Sequence, residues 1–396
     1  MLKLALAIGG MALVIPPSGW VALSAIPTQP VIAQNFLAQN FLAQNFLAQN
    51  LEPAETLGFD DQLWGNDTTP ADRQALLEAI DYSLQYLQTP AAAKAYQQYP
   101  SGITRQKIQQ SLLRFRELLQ ELNSPQELQA AVQREFTLYQ PAGNNTVFVT
   151  GYYTPFFAAS RTPNDLYRYP LYRRPPDFGN WPKPHPTRAA LEGTDGTGGR
   201  LSGLELVWLR DRLEAFFVHI QGSAYLQLTD GTRMAVGFAG ATDYPFTSIS
   251  RELAKDGKLR LDGLNIPVLT NYFRSNPGEL SNYLPRNNRF IFFSEKASPR
   301  PTGALQLPVT SERSIATDKA LMPAGGLALI HTKLPIINEY GQVEQRLVTR
   351  YVLDQDAGSA IKGPDRVDYY QGIGPQASAR AGVTGSRGRL YYLLLK

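Results

Sequence analysis

The stretch "LDQDAGSAIKGPDRVDYYQGIG" places two acids, Asp356 and Asp368, twelve residues apart among glycines, one lysine and a tyrosine pair. Carboxyl groups so placed can work as a catalytic pair, as one proton donor with a helper, or as side chains that tie down two turns. Other chemistries have less support. The three histidines, His185, His219 and His331, do not cluster with acids, and no H-E-x-x-H occurs. The chain has no cysteine, no G-x-S-x-G elbow, no phosphate-binding Gly-rich loop and no dinucleotide fingerprint. No metal and no cofactor is therefore expected, and carboxylates are the best candidates for acid–base work.

The elements that must hold these acids can be read along the chain. Its 396 residues, 43% hydrophobic and 18% charged, suffice for two medium cores. A net charge of +4 without a dense basic tract argues against nucleic-acid binding. At the start, Lys3 precedes the apolar run "LALAIGGMALVI", too short to span a bilayer but laid out as a secretory signal over 1–33, with Ala33 or Ala25 at the cut. An exported protein is expected, periplasmic or associated with the cell wall or outer membrane, with no disulfide and no lipid anchor through cysteine. Residues 34–52 carry a QNFLA repeat that reads as a flexible linker.

Helical signals follow. "TPADRQALLEAIDYSLQYL" offers Thr69 as N-cap and Pro70 at the first turn, then an apolar stripe of Leu76, Leu77, Ile80, Leu84 and Leu87. "TRQKIQQSLLRFRELLQEL" repeats the stripe, and Ser124 with Glu127 forms a capping-box signature. From Thr146 strands dominate. "TVFVTGYYTPFF" reads as a strand ending in a Gly-Pro turn, and "EAFFVHIQGSAYLQLTDGTRMAVGFAG" as a hairpin with a type I′ turn at Asp230-Gly231. A helix is predicted near "SISRELAKDG" and a strand at "NNRFIFFSE". Many short strands without βαβ rhythm predict a closed barrel rather than a doubly wound sheet.

Two resemblances bear on the acids. "QDAGSA" resembles the D-[TS]-G loop of aspartic proteases, but only one copy exists, so that reading needs a homodimer. The ordered set "GYYTP" (151–155), "VHIQGSAYLQLTDG" (218–231) and "QDAGSAIKGPDRVDYYQGIGPQASARAG" (355–382) closely resembles the membrane-bound lytic murein transglycosylase A (MltA) family with its 3D-type domain. The likeness runs from about residue 55 to the end. It implies a mainly β, α+β fold with N-terminal helices: a double-psi β-barrel catalytic domain over 53–156 and 296–396, a second β-barrel-like domain inserted over 157–295, and a groove between them. It also implies an exo-acting peptidoglycan lyase. Such enzymes cut the β-1,4 bond from N-acetylmuramic acid to N-acetylglucosamine and leave a 1,6-anhydro sugar, working as monomers on glycan strands.

By the same resemblance Asp368, before the aromatic pair, corresponds to the family's acid, and Asp356 to the nearby Asp of the Gly-rich segment. Chemistry accommodates one acid: when the substrate's own C6 hydroxyl attacks, no second carboxylate is needed to activate water. Asp368 must then enter protonated, which burial against Tyr369 or Tyr370, or the charge of Asp356, would favour. Asp356 either tunes Asp368, binds sugar or caps a turn. Tyr152, Tyr153, Thr154, Gln221, Ser223, Lys362 and Tyr370 are candidate sugar contacts, each with a plain structural alternative; for Lys362 that includes pairing with Asp356. Asp318 is either at the barrel mouth or in a turn. The competing class is a non-catalytic, expansin-like wall-loosening protein. Ala357 and Ser359 stand where the family more usually has Thr or Val and Gly.

Overall fold

The computed structural model describes residues 46–49, 57–65, 71–97, 99, 103–141, 146–261, 266–297, 300–338, 340 and 342–396. The expected signal segment, and the linker apart from 46–49, lie outside these residues. So does the expected helix start at Thr69-Pro70.

Strand β1 (Phe46–Gln49) is the last part of the QNFLA repeat. It pairs antiparallel with β2 (Phe136–Pro141), so this piece of the expected tether is strand instead, its backbone satisfied by a sheet edge. Four helices lie between: α1 (Arg73–Leu87), α2 (Pro90–Gln97), α3 (Arg105–Glu121) and α4 (Pro125–Glu135). Their ends follow local capping. Thr104 accepts from the Lys107 amide at 3.1 Å, and Ser124 from the Glu127 amide at 3.2 Å. The Glu127 carboxylate returns to the Asn123 amide at 2.9 Å, one residue earlier than a capping box requires. Ile108, Leu112, Phe115 and Leu119 are buried as one stripe of α3.

The helices cover one side of a closed barrel. Strands β3 (Val147–Thr154), β10 (Ser314–Ala316), β11 (Leu327–Ile337), β12 (Val343–Asp356), β13 (Arg366–Ile373) and β14 (Gly385–Leu395) run in the order β14-β11-β12-β10-β13-β3. Pairing of β3 with β14 closes the ring. Alternation along β14 divides two cores: Leu390 and Tyr392 face the barrel interior, Tyr391 and Leu393 the helices.

Between β3 and β10 the chain builds a second sheet, in the order β5-β6-β4-β7-β8-β9. Its strands are β4 (Phe156–Ser160), β5 (Tyr169–Tyr172), β6 (Glu205–Leu209), β7 (Ser223–Leu228), β8 (Arg233–Ala241) and β9 (Ile291–Glu295). Among the described residues an isolated bridge, Arg173 to Phe293, joins the two ends of the sheet, and this is the pairing present toward the barrel-like form expected for this region. Helices α5 (Arg188–Glu192), α6 (Arg212–Gln221), α7 (Ile249–Lys255), α8 (Ile266–Ser275) and α9 (Leu280–Tyr283) accompany it.

Two local readings change here. "EAFFVHIQ", expected as the first strand of a hairpin, is helix α6. Asp211 caps it, accepting from the Leu213 amide at 2.6 Å, and left-handed Gly222 ends it. The aromatic run has strand propensity, but it serves two packing faces of a helix. The hairpin is β7–β8. At its tip Gly231 has φ +83° whereas Asp230 is not left-handed, so the turn is type I with a glycine bulge rather than I′. No helix among the described residues is long and apolar enough to cross a membrane.

A buried ion cluster ties the segment before α1 to the barrel. Arg313, fully buried, donates to Asp60 at 2.6 Å and grips Asp72 through two nitrogens at 2.8 and 2.6 Å. Arg350 adds bonds to Asp60 at 3.2 Å and Asp61 at 2.7 Å.

Candidate active site

The two acids end on either side of one short strand. In β10, Ala316 is registered against Asp356 of β12 on one flank and against Asp368 of β13 on the other. Three residues level across a sheet point to the same face. Two strand spacings separate the Cα atoms of the acids by roughly 10 Å. The residue between them, Ala316, carries only a methyl.

Asp368 also lies level with Thr150 of the parallel strand β3. The Thr150 hydroxyl donates to Asp368 Oδ1 at 2.8 Å. Arg366 reaches the same hydroxyl oxygen at 3.4 Å and stacks over Phe148, 5.4 Å from its centroid. Asp368 remains partly accessible. Burial pushes its carboxyl up to about 6, against the pull of Thr150 and Arg366 and with a small push from the charge of Asp356.

Asp356 is held differently. Oδ2 accepts from the Tyr152 hydroxyl at 2.8 Å, and Oδ1 accepts from the amides of Ala304 and Ala357, each at 2.8 Å. Burial raises this carboxyl too, opposed by those three donors and by Lys319. The Tyr152 phenol is pushed far up by burial and then by Asp356, so it stays a donor. No hydrogen bond joins the two carboxyl groups.

The remaining candidates separate by strand parity. Tyr152, Thr154, Asp368 and Tyr370 lie on one face of the β3–β13 pair. Tyr370 packs its ring 5.0 Å from Tyr152, and its hydroxyl pairs with Thr154 Oγ1 at 2.8 Å, both side chains buried. Tyr153 points the other way and is buried against Ala377 and Ala381 of α10 (Gly374–Val383). That helix comes close because position 151 is glycine: a Cβ there would sit 2.9 Å from Ala381 Cα. Gln221 ends α6 with its amide oxygen 3.5 Å from the Tyr153 amide, and Ser223 opens β7. Both are on the second sheet's side, partly exposed.

Lys362 is exposed and lies 3.6 Å from Asp318, so its structural partner is Asp318 rather than Asp356. Asp318 itself accepts from the amides of Ala320 at 3.2 Å and Gly363 at 3.1 Å, a turn role. Thr150, Arg366 and the Ala304 amide were absent from the sequence-based candidates. Thr150 directly precedes "GYYTP", but only the parallel pairing of β3 with β13 brings it to Asp368. Among the described residues no group of three or more His, Asp or Glu is placed to hold a metal ion.

Comparison with known proteins follows the same division. Residues 148–294 match the family described as the MltA specific insert domain, and residues 313–394 match the 3D domain. A lytic transglycosylase of Burkholderia pseudomallei, LtgG, is 30% identical in a match covering 88% of this chain and 99% of that one, with TM-score 0.53. A membrane-bound lytic murein transglycosylase from Agrobacterium tumefaciens is 27% identical over 89% of this chain and 98% of that one, with TM-score 0.67. The Escherichia coli K12 protein "Membrane-bound lytic murein transglycosylase A" is 29% identical over 246 residues, 62% of this chain. The match spans 64% of that curated relative's length.

Proposed function

This chain belongs to the MltA family, and on that footing we propose that it is an exported lytic transglycosylase acting on peptidoglycan. The bond cut is the β-1,4 link from N-acetylmuramic acid to N-acetylglucosamine. The barrel carrying the acids is read as double-psi, with the glycan in a groove between it and the second sheet.

The observation that carries this reading is one partly accessible carboxyl held near neutrality, Asp368, level with a second carboxyl locked by three donors, Asp356. Asp368 enters protonated and gives its proton to the glycosidic oxygen as the C1–O4 bond breaks. Positive charge then develops at C1. The C6 hydroxyl oxygen of the same muramyl residue bonds to C1, and its proton passes to the Asp368 carboxylate. The acid is regenerated and no water is consumed. Held against C1, that hydroxyl has a large effective concentration. Thr150 fixes the Asp368 rotamer, and Tyr152 with the Ala304 and Ala357 amides fixes Asp356 on the same face. Tyr152 offers its ring to a sugar face. Of the remaining sugar contacts, Gln221, Ser223 and the exposed Lys362 are the ones that offer open polar groups.

Two measurements test this. Digestion of purified peptidoglycan should yield muropeptides carrying the 1,6-anhydro mass, 18 Da below the hydrated product, on the order set by loss of one water. Glycan binding without that product would return the expansin-like reading. In addition, kcat/KM should fall about tenfold per pH unit above about pH 6, because the free enzyme must hold the Asp368 proton. A profile flat from pH 5 to 8 would remove Asp368 as the acid.

A further inference from the structure

The second sheet carries a row of side chains on the face that its core does not use. Phe156 of β4 is registered against Tyr225 of β7, and Tyr225 against Ala235 of β8. The Lys296 amide, one residue beyond β9, donates to the Ala235 carbonyl at 2.9 Å and continues the row. Residues level across a sheet share a face. Phe156, Tyr225, Ala235 and Lys296 therefore lie opposite the face that buries Ala224, Leu226, Met234 and Val236. Three strand spacings put the ends of the row roughly 14 Å apart. Ser223, already a candidate sugar contact, is level with Gly237 on the same face.

The two ends differ in chemistry. Phe156 is 38% exposed, and its ring lies 5.8 Å from that of the half-buried Tyr225. At the other end Lys296 lays its stem across Gly237, where any Cβ would collide with Lys296 Cε. Its ammonium reaches the Phe238 carbonyl oxygen at 3.5 Å, its one bond among the described residues. Burial pulls this ammonium below the usual lysine range, and no charge among those residues offsets the cost. An ammonium has three donors, so two are left for a ligand. The row starts where the catalytic face ends. Phe156 is four residues from Tyr152, at most about 14 Å along the chain, and its Cβ faces Gly374 at the start of α10.

We propose that this row is a subsite for a muramyl residue whose lactyl carboxylate is free. The pyranose packs on Phe156 and Tyr225, and the carboxylate accepts from the Lys296 ammonium. The subsite rests on the peptidoglycan reading and deepens it: the protein favours glycan strands stripped of their peptide stems. Where a stem is attached, that carboxyl is an amide and has lost its charge. A chitooligosaccharide has no lactyl group at all. These three ligands separate contact with the sugar, with the lactyl carboxylate and with the acids of the stem.

The test is calorimetric titration of the Asp368→Asn protein with muramyl-glucosaminyl oligomers freed of peptide, with the same oligomers carrying stems, and with chitohexaose. The peptide-free oligomer should bind about tenfold more tightly than either of the others, the scale of one charge-assisted hydrogen bond, and high salt should shrink that margin. Lys296→Gln, added to the same background, should remove the margin and leave chitohexaose affinity unchanged, whereas Tyr225→Leu should weaken all three ligands. Equal affinity for the peptide-free oligomer and chitohexaose, equal affinity for strands with and without stems, or a margin retained in Lys296→Gln would overturn the assignment. The first two comparisons need no change at Lys296, which keeps the test open if Lys296→Gln does not fold. Digestion of peptidoglycan by the parent protein reports separately: no anhydro product with the margin intact would remove the transglycosylase reading and leave the subsite standing.

Discussion

Asp368→Asn is expected to lower turnover on purified peptidoglycan by about a thousandfold or more, the scale of losing a positioned general acid and base. The amide keeps the shape and can still accept from Thr150, so the fold should survive. The same change should raise stability at pH 7. The Asp368 carboxyl is held near 6 in the folded protein, above its unfolded value near 4. Between those values the folded state binds more protons than the unfolded one. Stability therefore falls as pH rises through this window, and the full cost is present above about 6. Two pKa units set that cost at no more than about 3 kcal/mol. Thermal melts at pH 4 and pH 7.5 check the sign: the variant should gain over the wild type only at the higher pH. Asp356→Asn should cost less activity than Asp368→Asn. Equal losses would mean that the two acids act as one coupled unit, and near-normal activity of Asp368→Asn would mean a different acid.

The largest expected loss of stability comes from the buried ion cluster at the start of β10. Arg313→Ala should destabilise the protein by about 3–5 kcal/mol, read as a lowered urea midpoint, because it strands buried charge. Arg313 is fully enclosed between Asp60, itself buried, and Asp72 at the mouth of α1. Burial alone would favour the uncharged guanidine, but Asp60 and Asp72 outweigh it and keep Arg313 charged. Without it, Asp60 retains Arg350 at 3.2 Å and the Tyr351 amide at 3.0 Å, while Asp72 loses both of its bonds to Arg313. A second change, Asp72→Asn, should recover part of the loss by removing a stranded charge. Were Arg313→Ala to cost under about 1 kcal/mol, the cluster would be behaving like a solvated surface pair.

Local physics was legible in the residue order. The stripe of α3, the Ser124 cap of α4, α7 and β9 are each set by neighbours within a few residues, so periodicity and capping disclose them. The elimination of thiol, metal and nucleotide chemistry rested on residue types alone. The likeness to one family rested on the ordered motifs from Gly151 to Gly382, and the singling out of Asp368 rested on that likeness. What failed locally was "EAFFVHIQ": strong strand formers became α6 because helix caps and two apolar faces outweighed propensity.

The site was decided by tertiary pairing. Twelve residues of sequence between the acids say nothing of Ala316, which lies level with both only because β10 threads between β12 and β13. Thr150 meets Asp368 across 218 positions, and Tyr152 meets Asp356 across 204. The same parity that gave Tyr152 to the acids turned Tyr153 to α10. Residue types determine which chemistry is available. Strand register, fixed by burial of one face over the whole barrel, decides which groups share a side and how dry each carboxyl is.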